Sequence, residues 1–94
     1  MNARAPASFV IRAGGKLSPA SVSAPAFLAL QVSIDSTDAS SHQVKLRTPT
    51  PRTLTVSSHG RASVLIPGLR SGAYAIDVDG MLRGSLLIGG EPGP

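Results

Sequence analysis

The sequence has no cysteine and no tryptophan, and its only aromatic residues are Phe9, Phe27 and Tyr74. Without cysteine there can be no disulfide, no thiolate ligand for a metal and no Cys nucleophile, although the absence assigns no redox compartment. So few rings oblige the interior to be aliphatic, built from Val, Leu, Ile and Ala. They also leave no stacking platform for single-stranded nucleic acid. Acidic residues are scarce as well: five Asp/Glu stand against nine Lys/Arg, for a net charge of +4. The cations Arg4, Arg12, Lys16, Lys45, Arg47, Arg52, Arg61, Arg70 and Arg83 are spread along the chain. A nucleic-acid binder gathers them into a patch, so this class is disfavoured. The excess implies solubility and a weak, salt-sensitive attraction to anionic surfaces. No apolar run approaches the ~20 residues that a bilayer-spanning helix needs. Phe9-Val10-Ile11 is too short for the apolar segment of a signal peptide and is followed by no cleavage pattern.

Catalytic constellations are equally thin. Nothing matches Gly-x-Ser-x-Gly, and the carboxylates are too few and too turn-like to suggest a glycosidase pair. Gly14-Gly15-Lys16 lacks the glycine spacing and the following helix of a phosphate loop. Asp77-Val78-Asp79-Gly80 is similar to the start of a calcium loop. The chain returns at once to Met81-Leu82-Arg83, with neither further oxygen ligands nor a closing glutamate. Asp79 therefore reads as a turn residue, and Asp77 as solvent-facing, opposite Ile76 and Val78. His42 could be one ligand of a metal site with His59 or Asp38. The plainer expectation is a loop-end histidine that bonds nearby backbone at the rim of the fold, with His59 exposed at a turn beside Gly60. No enzyme activity and no cofactor are expected.

Ninety-four residues make one domain, which buries roughly 60–65% of its unfolded surface. Short alternating runs carry the pattern. Residues 1–6 form a polar lead-in expected to be flexible, and 8–13 (SFVIRA) alternate as a strand, with Phe9 and Ile11 on one face. Residues 17–26 are extended and small. Pro19 and Pro25 confine that segment to an edge or to a kink where the chain changes sheets. The clearest strand is 27–34 (FLALQVSI), followed by turn chemistry over 35–41 (DSTDASS). Residues 42–48 alternate again, placing Lys45 and Arg47 on one exposed face. Thr48-Pro49-Thr50-Pro51 is expected to carry the chain between sheets. Residues 53–57 and 62–66 are expected to pair as a hairpin around His59-Gly60, 73–78 and 84–88 to be the last two strands, and 91–94 to be a frayed tail. Apolar residues nowhere recur at helical spacing for two turns. Seven or eight short strands predict an all-β, antiparallel sandwich or Greek-key barrel. The predicted inward set is Phe9, Ile11, Leu28, Leu30, Val32, Ile34, Val44, Leu46, Leu54, Val56, Val64, Ile66, Tyr74, Ile76, Val78, Leu86 and Ile88.

Three pieces of the chain bring a family into view. One is the opening FVIRAGGKLSPASVSAPAFLALQVS, and another is the polar loop 36–42 that ends in His42. The third is Ile66-Pro67-Gly68-Leu69-Arg70-Ser71-Gly72-Ala73-Tyr74 followed by Gly84-Ser85-Leu86-Leu87-Ile88. Together they resemble cupredoxin-like domains, especially bacterial periplasmic or lipid-anchored ones associated with iron uptake. The resemblance implies a β-sandwich, and it places a first histidine ligand at His42 and a cysteine at or next to Val78. No thiolate is possible there. The second histidine has no counterpart in the short loop 79–83, which resembles a tight Asp-Gly hairpin, and Met81 lies near the axial methionine position. A blue copper site needs two imidazoles and a thiolate, so type 1 copper electron transfer is excluded.

The resulting expectation is a metal-free, non-catalytic, cupredoxin-like accessory, structural or interaction domain of an exported bacterial protein. It would be monomeric and extracytoplasmic, with the export signal outside this chain. Its partner would be a protein or an anionic polymer, met through Lys45, Arg47 and Arg52. The alternative is copper or iron handling through His42, with Met81 as a second ligand.

Overall fold

In β4, Leu30, Val32 and Ile34 are fully buried and alternate with half-buried neighbours, the signature of a strand packed on one face. The computed structural model describes residues 4–89. Among these residues there are nine strands: β1 (Arg4–Arg12), β2 (Lys16–Ser18), β3 (Ser21–Ala24), β4 (Ala29–Ser36), β5 (His42–Leu46), β6 (Arg52–Val56), β7 (Arg61–Ile66), β8 (Gly72–Val78) and β9 (Met81–Ile88). They form a four-stranded sheet in the order β2-β1-β4-β7 and a five-stranded sheet in the order β3-β9-β8-β5-β6. The all-β expectation holds, with nine strands instead of seven or eight. Both sheets are mixed and not wholly antiparallel, because β1 runs parallel to β4 and β3 parallel to β9.

The two sheets face each other across an aliphatic core. Phe9, Ile11, Leu30, Ile34, Leu46, Ile66, Ile76, Leu86 and Ile88 are its largest members, none more than 2% exposed. Four predicted core residues are only half-buried. Leu54, Val64 and Tyr74 pack against the core, and Leu28 lies outside it. Ala7, Leu17, Ala24 and Leu69 are buried although the alternation did not single them out. Leu28 leaves the core because the strand begins later than its apolar run suggests. Phe27 sits in the left-handed region at φ 61°, is 75% exposed, and its N–H donates to the Leu69 carbonyl at 2.8 Å. Gly68 allows this approach, since a Cβ there would lie 2.5 Å from the Phe27 carbonyl carbon. At its other end β4 takes in Asp35 and Ser36, which the turn-like composition had assigned to the loop.

Pro19 lies where the chain changes sheets, leaving β2 beside β1 and entering β3 beside β9. The other crossing is not where the prolines placed it. Thr48 is buried and its hydroxyl donates to the Thr50 carbonyl at 2.7 Å. The segment 48–51 thus folds back, and β6 pairs with β5 in the same sheet. The crossing occurs at 57–60 instead. Gly60 N–H donates to Ser57 at 2.8 Å, and Ser36 N–H to Gly60 at 2.8 Å, which delivers β7 to β4. The expected hairpin of 53–57 with 62–66 therefore does not form. A second extension is at the start: Arg4 to Pro6, read as lead-in, belong to β1, where Arg4 lies opposite Ala29 and bonds the Gln31 side chain at 2.8 Å. The expected looseness of residues 1–3 and 91–94 lies outside the described residues.

Candidate functional site: an imidazole between two carboxylates

His42 opens β5 with its side chain on the inner face, the parity it shares with Val44 and Leu46, and it is 7% exposed. Its first neighbour comes from the β8–β9 turn. Asp79 and Gly80 occupy φ 53° and 83°, the paired left-handed conformation of a two-residue hairpin, as the Asp-Gly signal implied. This turn is stitched to β5. Asp79 N–H donates to the Gln43 carbonyl at 2.8 Å, and Gln43 N–H donates to Asp79 Oδ1 at 2.9 Å. The remaining oxygen, Oδ2, stands 2.5 Å from His42 Nδ1.

The second neighbour comes from the β4–β5 loop. Asp38 Oδ2 is 2.8 Å from His42 Nε2. Asp38 is itself held in place: its N–H donates to Ser36 Oγ at 3.1 Å, its Oδ1 accepts from Ala39 N–H at 2.8 Å, and its carbonyl accepts from His59 N–H at 3.0 Å. The 3₁₀ turn Ala13–Gly15 covers the group. Gly15 is buried so closely that a Cβ there would reach ordinary contact with Val78, His42 and Asp79, at 3.6, 3.8 and 3.9 Å.

Both imidazole nitrogens thus face carboxylate oxygens. A neutral ring offers one N–H, and its other nitrogen would turn a lone pair toward an anion; only the imidazolium satisfies both. The hydrogen bond to Asp79 therefore raises the His42 pKa. Burial opposes this and Asp38 reinforces it. In return His42 lowers the pKa of Asp79, aided by the Gln43 amide, and that of Asp38, aided by the Ala39 amide. The expectation of a histidine bonded to nearby backbone is corrected: its partners are side chains, one of them 37 residues away. Asp38 does join His42, whereas His59 is an exposed turn residue at φ 52° that contributes only a backbone N–H.

The donor set does not fit a copper ion. Where the resemblance puts a thiolate, at or next to Val78, stand Val78 itself and Asp79, whose Oδ2 is bonded to His42 Nδ1. The two nitrogens point in opposite directions, so the carboxylates on them cannot converge on one ion with the ring. Among the described residues, no group of three or more His, Cys, Asp or Glu could hold a metal ion. Met81 is 58% exposed, and its sulfur accepts from the Arg83 guanidinium at 3.7 Å.

Asp77 is the other correction. It does point away from Ile76 and Val78, yet it is only 3% exposed. Arg47 lies over it, with Nε 2.7 Å and a terminal nitrogen 2.6 Å from Oδ2, and Leu82 stands opposite it in the ladder at a bulge. Lys45 and Arg47 share the outer face of the five-stranded sheet as expected. Arg52 does not join them, because it pairs with Leu46 in register and so lies on the inner parity, at the opposite end of the sheet from His42.

Neither a protein-family model nor a curated protein matches the sequence. Solved structures do match the fold. An auracyanin from Roseiflexus castenholzii superposes with a TM-score of 0.76 at 10% identity, over 98% of this chain and 100% of that one. Auracyanin A from Chloroflexus aurantiacus, a "blue" copper protein, gives 0.67 at 10% identity over 88% and 98% of the two chains. A purple cupredoxin from Nitrosopumilus maritimus gives 0.57 at 12% identity over 87% and 98%. The chain has the cupredoxin fold, with an aspartate–histidine–aspartate group at the pole where the resemblance placed copper ligands and no cysteine anywhere in its sequence.

Proposed function

We propose that this chain is a metal-free, non-catalytic cupredoxin-like module, monomeric, that serves as an accessory or protein-interaction domain of an exported bacterial protein. The observation that carries this reading is the occupation of both His42 nitrogens by carboxylates, at 2.5 and 2.8 Å. A metal would have to displace two charge-assisted hydrogen bonds to reach the imidazole, and would find no second nitrogen or sulfur donor beside it among the described residues. The ion group instead ties the β4–β5 loop to the β8–β9 turn, a structural use of a former ligand pole. An exported setting is supported by the fold alone. A protein partner is favoured over an anionic polymer because Arg47 is engaged by Asp77 and Arg52 lies on the other side of its sheet.

The test is calorimetric titration of the 94-residue chain with Cu(I), Cu(II) and Fe(III), repeated on His42→Ala. The expected outcome is no binding tighter than millimolar, with no difference between the two proteins. Micromolar binding that disappears in His42→Ala would replace the metal-free reading with metal handling.

A further inference from the structure

The pole opposite His42 carries features that the core and the ion group leave unexplained. β5 starts at His42 and ends at Leu46, and β8 ends beside Asp79, so the segments 48–51 and 67–71 lie at the far end of both strands. Between them is a cavity of about 180 Å³ lined by Thr48, Arg52, Ile66, Pro67, Gly68 and Leu69. A dry cavity of roughly 150 Å³ can accept a benzene ring, so this one has room for an aromatic or branched aliphatic side chain. Of its two lining threonines, Thr48 has its hydroxyl bonded within the chain, to the Thr50 carbonyl. Gly68 in its wall packs against the backbone of Phe27, whose side chain is 75% exposed and whose backbone is left-handed. A bulky residue in that conformation costs stability that no core contact of Phe27 offsets.

The four described carboxylates are all engaged: Asp38 and Asp79 by His42, Asp35 by Arg61 and Asp77 by Arg47. Three arginines at the far pole have no ion-pair partner among the described residues: Arg52 in the cavity wall, Arg70 beside Leu69, and Arg4 opposite Ala29 in the ladder. An apolar hollow with the Arg52 guanidinium-bearing side chain in its wall, at a pole that also carries Arg70, is complementary to an acidic segment with an apolar anchor.

We propose that this pole docks an acidic peptide segment of a partner protein, seating one aromatic or branched aliphatic side chain in the cavity beside Phe27 while its carboxylates meet Arg52 and Arg70. The proposal rests on the reading of the chain as an interaction module and adds the place and the chemistry of the partner.

The test begins with selection of a random twelve-residue phage-displayed peptide library on the 94-residue chain. It continues with fluorescence anisotropy of the selected peptide after labelling, and with mapping by ¹⁵N amide shifts. The expected consensus has Asp or Glu flanking a Phe, Trp or Leu, with shifts concentrated at Arg52, Gly68 and Leu69. Arg52→Glu is expected to weaken binding by about tenfold or more. Phe27→Asn, which tolerates the same backbone conformation, should also cost about tenfold. Lys45→Glu should change nothing, and affinity should fall with salt. Failure to enrich peptides, a consensus without acidic residues, or an Arg52→Glu variant that binds normally overturns the proposal. Shifts that map to the His42 pole overturn this site and leave the interaction reading standing; the metal titration tests that reading separately. Sedimentation with phosphatidylglycerol vesicles, unaffected by the peptide, would assign the surface to a membrane instead. Tighter binding by Glu91→Gln would assign the cavity to the chain's own C-terminal segment.

Discussion

Replacing Asp79 by Asn is the sharpest perturbation of the His42 group, because it removes one charge and little else. Asn is at home in the left-handed conformation of a two-residue hairpin, and its carbonyl oxygen can still accept from Gln43 N–H. What is lost is the charge-assisted bond to His42 at 2.5 Å. Hydrogen bonds to charged groups contribute about 1.5–3 kcal/mol. Asp79 is 49% exposed, so solvent screening reduces the expected loss to about 1 kcal/mol. In a domain of this size that corresponds to about 4–8 °C in Tm. The loss depends on pH. The folded-state pKa of His42 is raised above 6.5, so its contribution is fully present below about pH 6.5 and is lost as pH rises through the folded value. The pKa values of Asp38 and Asp79 are held below 3.8, so their contribution is present above about pH 3.8 and is lost as pH falls through the folded values. The group therefore stabilises most between about pH 3.8 and 6.5. Urea denaturation at about pH 5.5 and about pH 8.5 should show Asp79→Asn less stable by about 1 kcal/mol at the lower pH and by a smaller amount at the higher. A deficit equal at both values, or larger at the higher one, would refute a charged His42 as the element that ties this pole together.

Two further outcomes follow from burial. Ile76→Ala removes a fully buried side chain at the centre of the five-stranded sheet and should cost on the order of 2–5 kcal/mol in chemical denaturation, while a loss below about half a kcal/mol would place it outside the core. Arg47→Met keeps the aliphatic stem over Asp77 but leaves that buried carboxylate without its guanidinium; a loss of about 1–3 kcal/mol is expected at neutral pH, recovered in large part by the second change Asp77→Asn, and an additive double variant would show that the pair is not coupled.

The periodicity of the chain was enough to identify the strands and most of their buried faces. Leu30, Val32 and Ile34, Val44 and Leu46, and Leu86 and Ile88 are buried as the alternation required. The Asp79-Gly80 turn was equally legible, since few dipeptides accept two consecutive left-handed residues. The sheet to which each strand belongs was not. Pro49 and Pro51 suggested a crossing, yet the crossing uses Ser57 to Gly60, because a break in strand structure does not specify which neighbour the next strand will find. The small buried residues Ala7 and Ala24 escaped for a related reason: their burial comes from the opposing sheet and not from any local pattern.

The candidate site divides along the same line. The sequence by itself determined that no cysteine is present, that His42 closes a polar loop and that an Asp-Gly turn replaces a longer ligand loop, so a blue copper centre was excluded without coordinates. Only the tertiary structure decided what His42 does instead, and that Arg47 covers Asp77 and Arg52 lines a cavity at the other pole. These pairings span 30 and 37 residues for Asp77 and Asp79. The local pattern along a strand fixes the face a side chain takes, whereas its partner is set by which strands become neighbours and in what register.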